Sequence, residues 1–170
     1  FCVNGKFSAF DYCKNINKLK KIKKLITTYP YFKIKKYGLK RNQVKSFVWL
    51  EVFKILNQKF FLDNVLFYIG HKVENLINKS FDIFCSKELK KISFNKAIFF
   101  SGSVEKSIKI SKKKSAKCFL IRGSSHILEV KKILKSKIKK TKINTQLPYT
   151  ELIKREKKEY ELADRIFLHS

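Results

Sequence analysis

Three turns of small residues in this chain stand where side chains and backbone amides can do chemistry. Ser101-Gly102-Ser103 follows the apolar run at residues 97–100, and Gly123-Ser124-Ser125-His126 follows a second apolar run at 118–121. A helix-like stretch lies between them. The order is strand, turn, helix, strand, turn, which is the pattern of a parallel βαβ unit. α/β folds bind their ligands at the carboxyl ends of parallel strands, so both turns are candidate site loops. An imidazole at His126 can donate to a ligand hydroxyl or a departing phosphate, or it can simply cap the next helix. Arg122, beside the second turn, can pair with a phosphate, with a carboxylate, or within the domain. Ser101, Gly102 and Ser103 either line a cleft or cap the helix that follows. A third turn, Asn4-Gly5-Lys6, follows the apolar start of the chain. Gly5 there lets N–H groups approach an anion at a helix start, with Lys6 beside it; a plain tight turn is the equal alternative.

These turns need a sheet beneath them. Residues 1–3 read as the tail of a buried strand, 8–19 as a helix capped by Ser8, and 24–28 as a β-branched strand closed by Pro30. Residues 31–46 read as a short extended piece and a connection. The run at 47–57 is apolar around most of a helix and is expected to be largely buried, with Trp49, Phe53 and Phe84 as core residues. Residues 65–80 and 81–89 read as two further helical segments. A basic amphipathic stretch at 131–141, carrying Ile133, Leu134 and Ile138, reads as a surface helix or lid that can also lie on an anionic surface. Thr150 is placed to cap a charged helix containing a Glu151–Arg155 pair. Asp164 is expected to fix the turn into a last strand at 165–168.

The chain has 170 residues, enough for one domain with a core, and a hydrophobic fraction of 44% argues against disorder. No apolar run reaches the roughly 20 residues that span a bilayer. The formal net charge is +27, yet only four of the 40 basic residues are Arg. Proteins that grip phosphate lean on the planar guanidinium fork. Solvated helix faces and the lysine-rich composition of an AT-rich genome therefore account for most of this charge. The rival is a lysine-rich nucleic-acid-binding module. Either way the excess attracts anionic lipid headgroups and polyanions nonspecifically. Cys2, Cys13, Cys85 and Cys118 form no CxxC pair and read as reduced thiols of a cytosolic protein. A start at Phe1, the absence of Met, and a stop at Ser170 just after an apolar run read as a fragment cut from a longer protein.

The segments at 101–126 (SGSVEKSIKISKKKSAKCFLIRGSSH) and 151–170 (ELIKREKKEYELADRIFLHS) resemble the amino-terminal half of retaining glycosyltransferases of family 4, which have the GT-B architecture. Glu159-Tyr160 and Ala163-Asp164, then a short strand ending in Ser170, carry the likeness at the end of that half. GKFSAFDYC and LITTYP near the start add to it. The resemblance implies an α/β fold, a Rossmann-like parallel sheet flanked by helices, forming the acceptor-side lobe. A second lobe with paired glutamates would hold the nucleotide-sugar donor. The implied reaction moves a hexose, with retention, to a hydroxyl of a carbohydrate or glycolipid acceptor, without a metal or other cofactor. His126 is then the expected catalytic residue. Gly5, Lys6, Ser101, Gly102, Ser103, Arg122, Ser124 and Ser125 are the expected substrate contacts. The implied setting is the cytoplasm, with peripheral contact to an anionic membrane and no specific nucleic acid, and the fragment alone is expected to be inactive.

Overall fold

Strands buried on both faces must be apolar along their whole length, and the apolar runs at 2–3, 25–26, 97–100 and 118–121 are buried or half-buried, whereas that at 166–168 is exposed. The computed structural model describes residues 1–4, 14–16, 22–59, 67–123, 125–141 and 147–168. Its six strands are β1 (Cys2–Val3), β2 (Leu25–Thr27), β3 (Val44–Ser46), β4 (Lys96–Phe100), β5 (Lys117–Arg122) and β6 (Arg165–Leu168). They form one sheet in the order β3-β2-β1-β4-β5-β6, every pair parallel. The register sets Cys2 opposite Ile26 on one side and Phe99 on the other, while Ala97 to Phe100 pair with Cys118 to Ile121. The chain first builds outward through β2 and β3, then returns to continue from β1 through β4. That reversal puts a topological switch point between β1 and β4. The fold is α/β and Rossmann-like.

The pleat sends neighbouring residues to opposite faces. Cys2, Ile26, Phe99 and Leu120 join one buried cluster, and Val3, Leu25, Phe100 and Ile121 the other. The helices, in chain order, are α1 (Tyr31–Ile34), α2 (Val48–Asn57), α3 (Phe67–Lys90), α4 (Glu105–Lys113), α5 (Ile127–Thr141) and α6 (Thr150–Leu162). The 24-residue α3 lays Ile77, Phe81, Cys85 and Leu89 along a single stripe against the first cluster, as a four-residue repeat on a helix requires. Cys2, Cys85 and Cys118 are buried free thiols; Cys13 lies outside the described residues.

α3 also supplies the cap of its neighbour. α4 starts after Val104, whose side chain caps nothing. Instead Asp82 of α3 accepts from the N–H of Lys106 at 2.7 Å and of Ser107 at 2.8 Å, and from the Ser107 hydroxyl at 2.7 Å. A carboxylate at a helix start satisfies orphan donors and meets the positive end of the helix dipole. Burial still raises the Asp82 carboxyl above its ordinary value, against the pull of these bonds.

Several expectations need correction. Residues 31–46 are not merely extended: they hold α1, two 3₁₀ turns (Lys35–Tyr37 and Arg41–Gln43) and the strand β3, paired to β2 through Val44, Lys45 and Ser46. The two segments expected at 65–80 and 81–89 are parts of the continuous α3. Tyr149, not Thr150, is the N-cap of α6, and no side chain closes it. Arg155 turns inward rather than pairing with Glu151. The largest correction concerns α2, which is not buried: Trp49 is 70% and Phe53 56% exposed. Phe84 does pack on the core, its ring 4.7 Å from that of Phe47. Asp164 fixes the turn into β6 as expected, accepting from Cys118 N–H at 2.6 Å and from Lys112. The helix expected at 8–19 lies mostly outside the described residues, Ser8 included.

Replacing Asp82 by Ala strands three donors at the start of α4, with an expected loss of about 2–3 kcal/mol. Urea denaturation checks this, and Asp82→Asn, which keeps one acceptor, should lose less. A loss for the Ala variant within about 0.5 kcal/mol, the spread of ordinary surface substitutions, would contradict the capping role.

Candidate functional site

The carboxyl ends of β1, β4 and β5 surround a cavity of about 250 Å³ lined by Val3, Asn4, Phe100, Ser101, Ser103, Ile121, Arg122 and Gly123. Its apolar residues, Val3, Phe100 and Ile121, belong to the second core cluster. Its polar groups come from the residues at the strand ends and just beyond them. A larger hollow of about 940 Å³ opens at the opposite edge of the sheet, mostly apolar, with Lys23, Lys24 and Lys96 among its lining. The smaller cavity is the better candidate: it lies at the switch point, where ligands of such sheets bind, and hydroxyl, amide and guanidinium groups converge on it.

The β4–α4 turn is shaped by α6. Gly102 has a φ of +103°, a conformation that strains any residue with a Cβ. Its N–H donates to Glu159 Oε2 at 2.6 Å, and the Val104 N–H donates to Glu159 Oε1 at 2.7 Å. The Gly102 carbonyl accepts from Arg155 Nη1 at 3.1 Å, and Arg155 also bonds Asn75 of α3. An anion seeking the amides of this turn finds the Glu159 carboxyl already there. Asp82 holds the next two. The anion cradle at the start of α4 is thus filled from within, which leaves Asn4, the Ser101 and Ser103 side chains and Arg122 as the polar groups offered to the cavity among the described residues.

Arg122 is anchored from below. Its Nε lies 3.1 Å from Glu156 Oε2, an ion pair set off the hydrogen-bonding angle. Glu156 also accepts from the Tyr160 hydroxyl, and the Tyr160 ring lies 4.9 Å from the His126 ring. Arg122, Glu156, Tyr160 and His126 therefore form one continuous chain from the cavity wall to the start of α5. Burial pushes Glu156 up, while Tyr160 and Arg122 pull it back. Burial likewise pushes Glu159 up to about 8, against the two amide bonds, and raises the Tyr160 phenol, with Glu156 adding to the rise. On the β1 side, Asn4 Nδ2 donates to Asn78 Oδ1 at 2.7 Å, and Asn4 Oδ1 is buried with no partner among the described residues.

Of the residues expected to bind substrate, Ser101, Ser103 and Arg122 line the cavity. Gly102 sits behind them. Ser125 and His126 are exposed and outside the cavity lining, and His126 Nδ1 accepts from Leu128 N–H at 3.3 Å as a cap for α5. Gly5, Lys6 and Ser124 lie outside the described residues. Sequence reasoning missed Glu156 and the inward Arg155, and reached Glu159 and Tyr160 only through the resemblance. Both carboxylates are almost fully buried, yet in a helix this charged they read as solvated. Their one signal is the spacing they share with Ile153, Tyr160 and Ala163. Among the described residues no group of three or more His, Cys, Asp or Glu side chains is placed to hold a metal ion. No family model, no curated protein and no solved structure matches the chain.

Glu159→Ala leaves two buried N–H groups unpaired, with an expected loss of about 2–4 kcal/mol. The pH dependence has a definite sign. The Glu159 carboxyl ionises near 8 in the folded chain against an ordinary 4.5, so the folded state holds a proton that the unfolded state releases. The stability this gives is complete below 4.5 and is lost as pH rises through 8. Denaturation from acid to alkaline pH should therefore show a shallower decline for Glu159→Gln than for the wild type across that window. Identical slopes would contradict the assignment.

Proposed function

We propose that this chain is the acceptor-side lobe of a retaining glycosyltransferase of the GT-B kind. The observation that carries the reading is the filled cradle at the start of α4. With Glu159 and Asp82 on its amides, this edge is poorly suited to a nucleotide pyrophosphate. It is better suited to a ligand rich in hydroxyls, which Ser101, Ser103 and Arg122 can engage in the cavity. That division of labour fits an architecture in which a second lobe holds the nucleotide-sugar. The resemblance around Glu159-Tyr160 and Ala163-Asp164 points the same way, although fold and resemblance alone do not fix chemistry.

In this reading the Ser101 and Ser103 hydroxyls and the Arg122 guanidinium orient the acceptor, a carbohydrate or glycolipid. Glu156 is a positioning residue that holds Arg122 and, through Tyr160, the His126 ring. His126 donates a hydrogen bond to a sugar hydroxyl or to the departing phosphate once the donor lobe closes over it. Transfer of the hexose with retention would then take place between the lobes, and the setting would be the cytoplasmic side of a membrane. The rival reading, a nucleic-acid-binding module, draws on exposed Phe32 and Trp49, with Lys33 Nζ 5.9 Å from the Phe32 ring. Bases stack on such rings.

Amide chemical-shift titration of the chain separates the two. Simple glycosides should shift Asn4, Ser101, Ser103 and Arg122 without turnover of any nucleotide-sugar. Arg122→Ala should weaken that binding by about 10- to 100-fold, the loss expected for one charge-assisted hydrogen bond. No response at the strand ends, together with tight binding of random-sequence DNA and a steep salt slope, would overturn the proposal in favour of its rival.

A further inference from the structure

Helix α2 sets a single apolar side chain, Leu50, in the core and leaves its other apolar residues outside. Its polar side chains turn inward: Glu51 Oε2 accepts from the Thr28 hydroxyl at 2.5 Å, Lys54 Nζ donates to the Asn4 carbonyl at 3.4 Å, and Asn57 Nδ2 donates to the Gly70 carbonyl at 3.0 Å. These three stand at i, i+3 and i+6, on one side of the helix. Val48, Trp49, Val52, Phe53, Ile55 and Leu56 are all exposed. At 100° per residue they fill the remaining arc, and no charged side chain interrupts them. A contiguous apolar face this large marks an interaction surface.

The charge around it selects the occupant. The helix and its flanks, residues 45–59, carry three lysines and one acidic residue, and that acid, Glu51, is turned inward together with Lys54. Lys45 before the helix and Lys59 after it are both exposed. A second copy docking on α2 would bring two such segments together, and like charges repel. A nucleic acid would be held by the lysines and rings but would gain little from Val48, Val52, Ile55 and Leu56. An anionic bilayer satisfies both features, because its acyl boundary takes the apolar arc and its headgroups take the flanking lysines. An indole at that boundary is also in a favoured place.

We infer that α2 is the lipid-docking face of this chain, seating Trp49, Phe53 and their aliphatic neighbours in an anionic bilayer surface. The inference is independent of the glycoside reading and concerns a different part of the molecule. Trp49 is the sole tryptophan, so the helix carries its own reporter. Adding phosphatidylglycerol-containing vesicles should shift Trp49 emission to the blue and cosediment the chain, whereas pure phosphatidylcholine vesicles should do neither at matched concentration. The double variant Val52→Glu/Leu56→Glu, made at exposed positions, should weaken binding about tenfold or more. Ile133→Glu, at an exposed position of α5, should leave it unchanged. Any of these results would overturn the inference: no blue shift with anionic vesicles, equal binding by the double variant, loss with Ile133→Glu instead, or a concentration-dependent blue shift in the absence of lipid. A blue shift caused by random-sequence DNA and abolished in the double variant would equally overturn it. Glycoside-induced shifts at Ser101 and Arg122 in the double variant keep the outcome separate from that of the proposed function.

Discussion

A parallel sheet delivers strand ends to one edge, but the loops there stay where they are only if their amides are satisfied. In this chain that constraint is met by carboxylates from helices distant in sequence. Glu159 takes the N–H groups of Gly102 and Val104, and Asp82 takes those of Lys106 and Ser107. Without them the β4–α4 turn would lose both its shape and its link to the helices on either side. Burying a carboxyl is costly, and the upward shift at Glu159 records that cost. The same two residues hold the amides that an incoming phosphate would seek.

The two halves of the sheet then serve different ends. From β1 to β5 the strand ends enclose a small polar-rimmed cavity, and Arg122 is tied through Glu156 and Tyr160 to the start of α5. Beyond β2 the sheet ends in the three-residue β3 and in α2, which spends its polar groups on the interior and leaves its apolar arc outside. Asn4 ties the cavity to the inward, polar side of α2: its side chain reaches Asn78 of α3, while its carbonyl accepts from Lys54 of α2.

The unit from β4 to β5 was legible because its strands are unbroken apolar runs that each end in small residues, and nothing in the tertiary structure overrides that pattern. β3 was not legible. Only Val44 among its three residues is apolar, and the strand exists through backbone pairing with β2. α2 misled because a helix apolar around most of its circumference reads as a core helix, and the few polar side chains that turn inward give no sign of direction. In α6, eight of 13 residues are charged, so the burial of Glu156 and Glu159 leaves no trace in hydropathy. It follows from donors in the β4–α4 turn that only the folded chain brings near. For His126, the capping of α5 was visible in the sequence as one of its two readings. The link through Tyr160 to Arg122 depends on the packing of α5 on α6, which no local pattern encodes.

The central claim is that the strand-end edge holds a hydroxyl-rich ligand while its own carboxyl groups occupy the anion cradle. A crystal structure of the chain soaked with a glycoside together with pyrophosphate addresses it most directly. The account predicts glycoside density against Ser101, Ser103 and Arg122, with Glu159 still on the amides of Gly102 and Val104. Pyrophosphate seated on those amides, with the Glu159 side chain displaced, would contradict it.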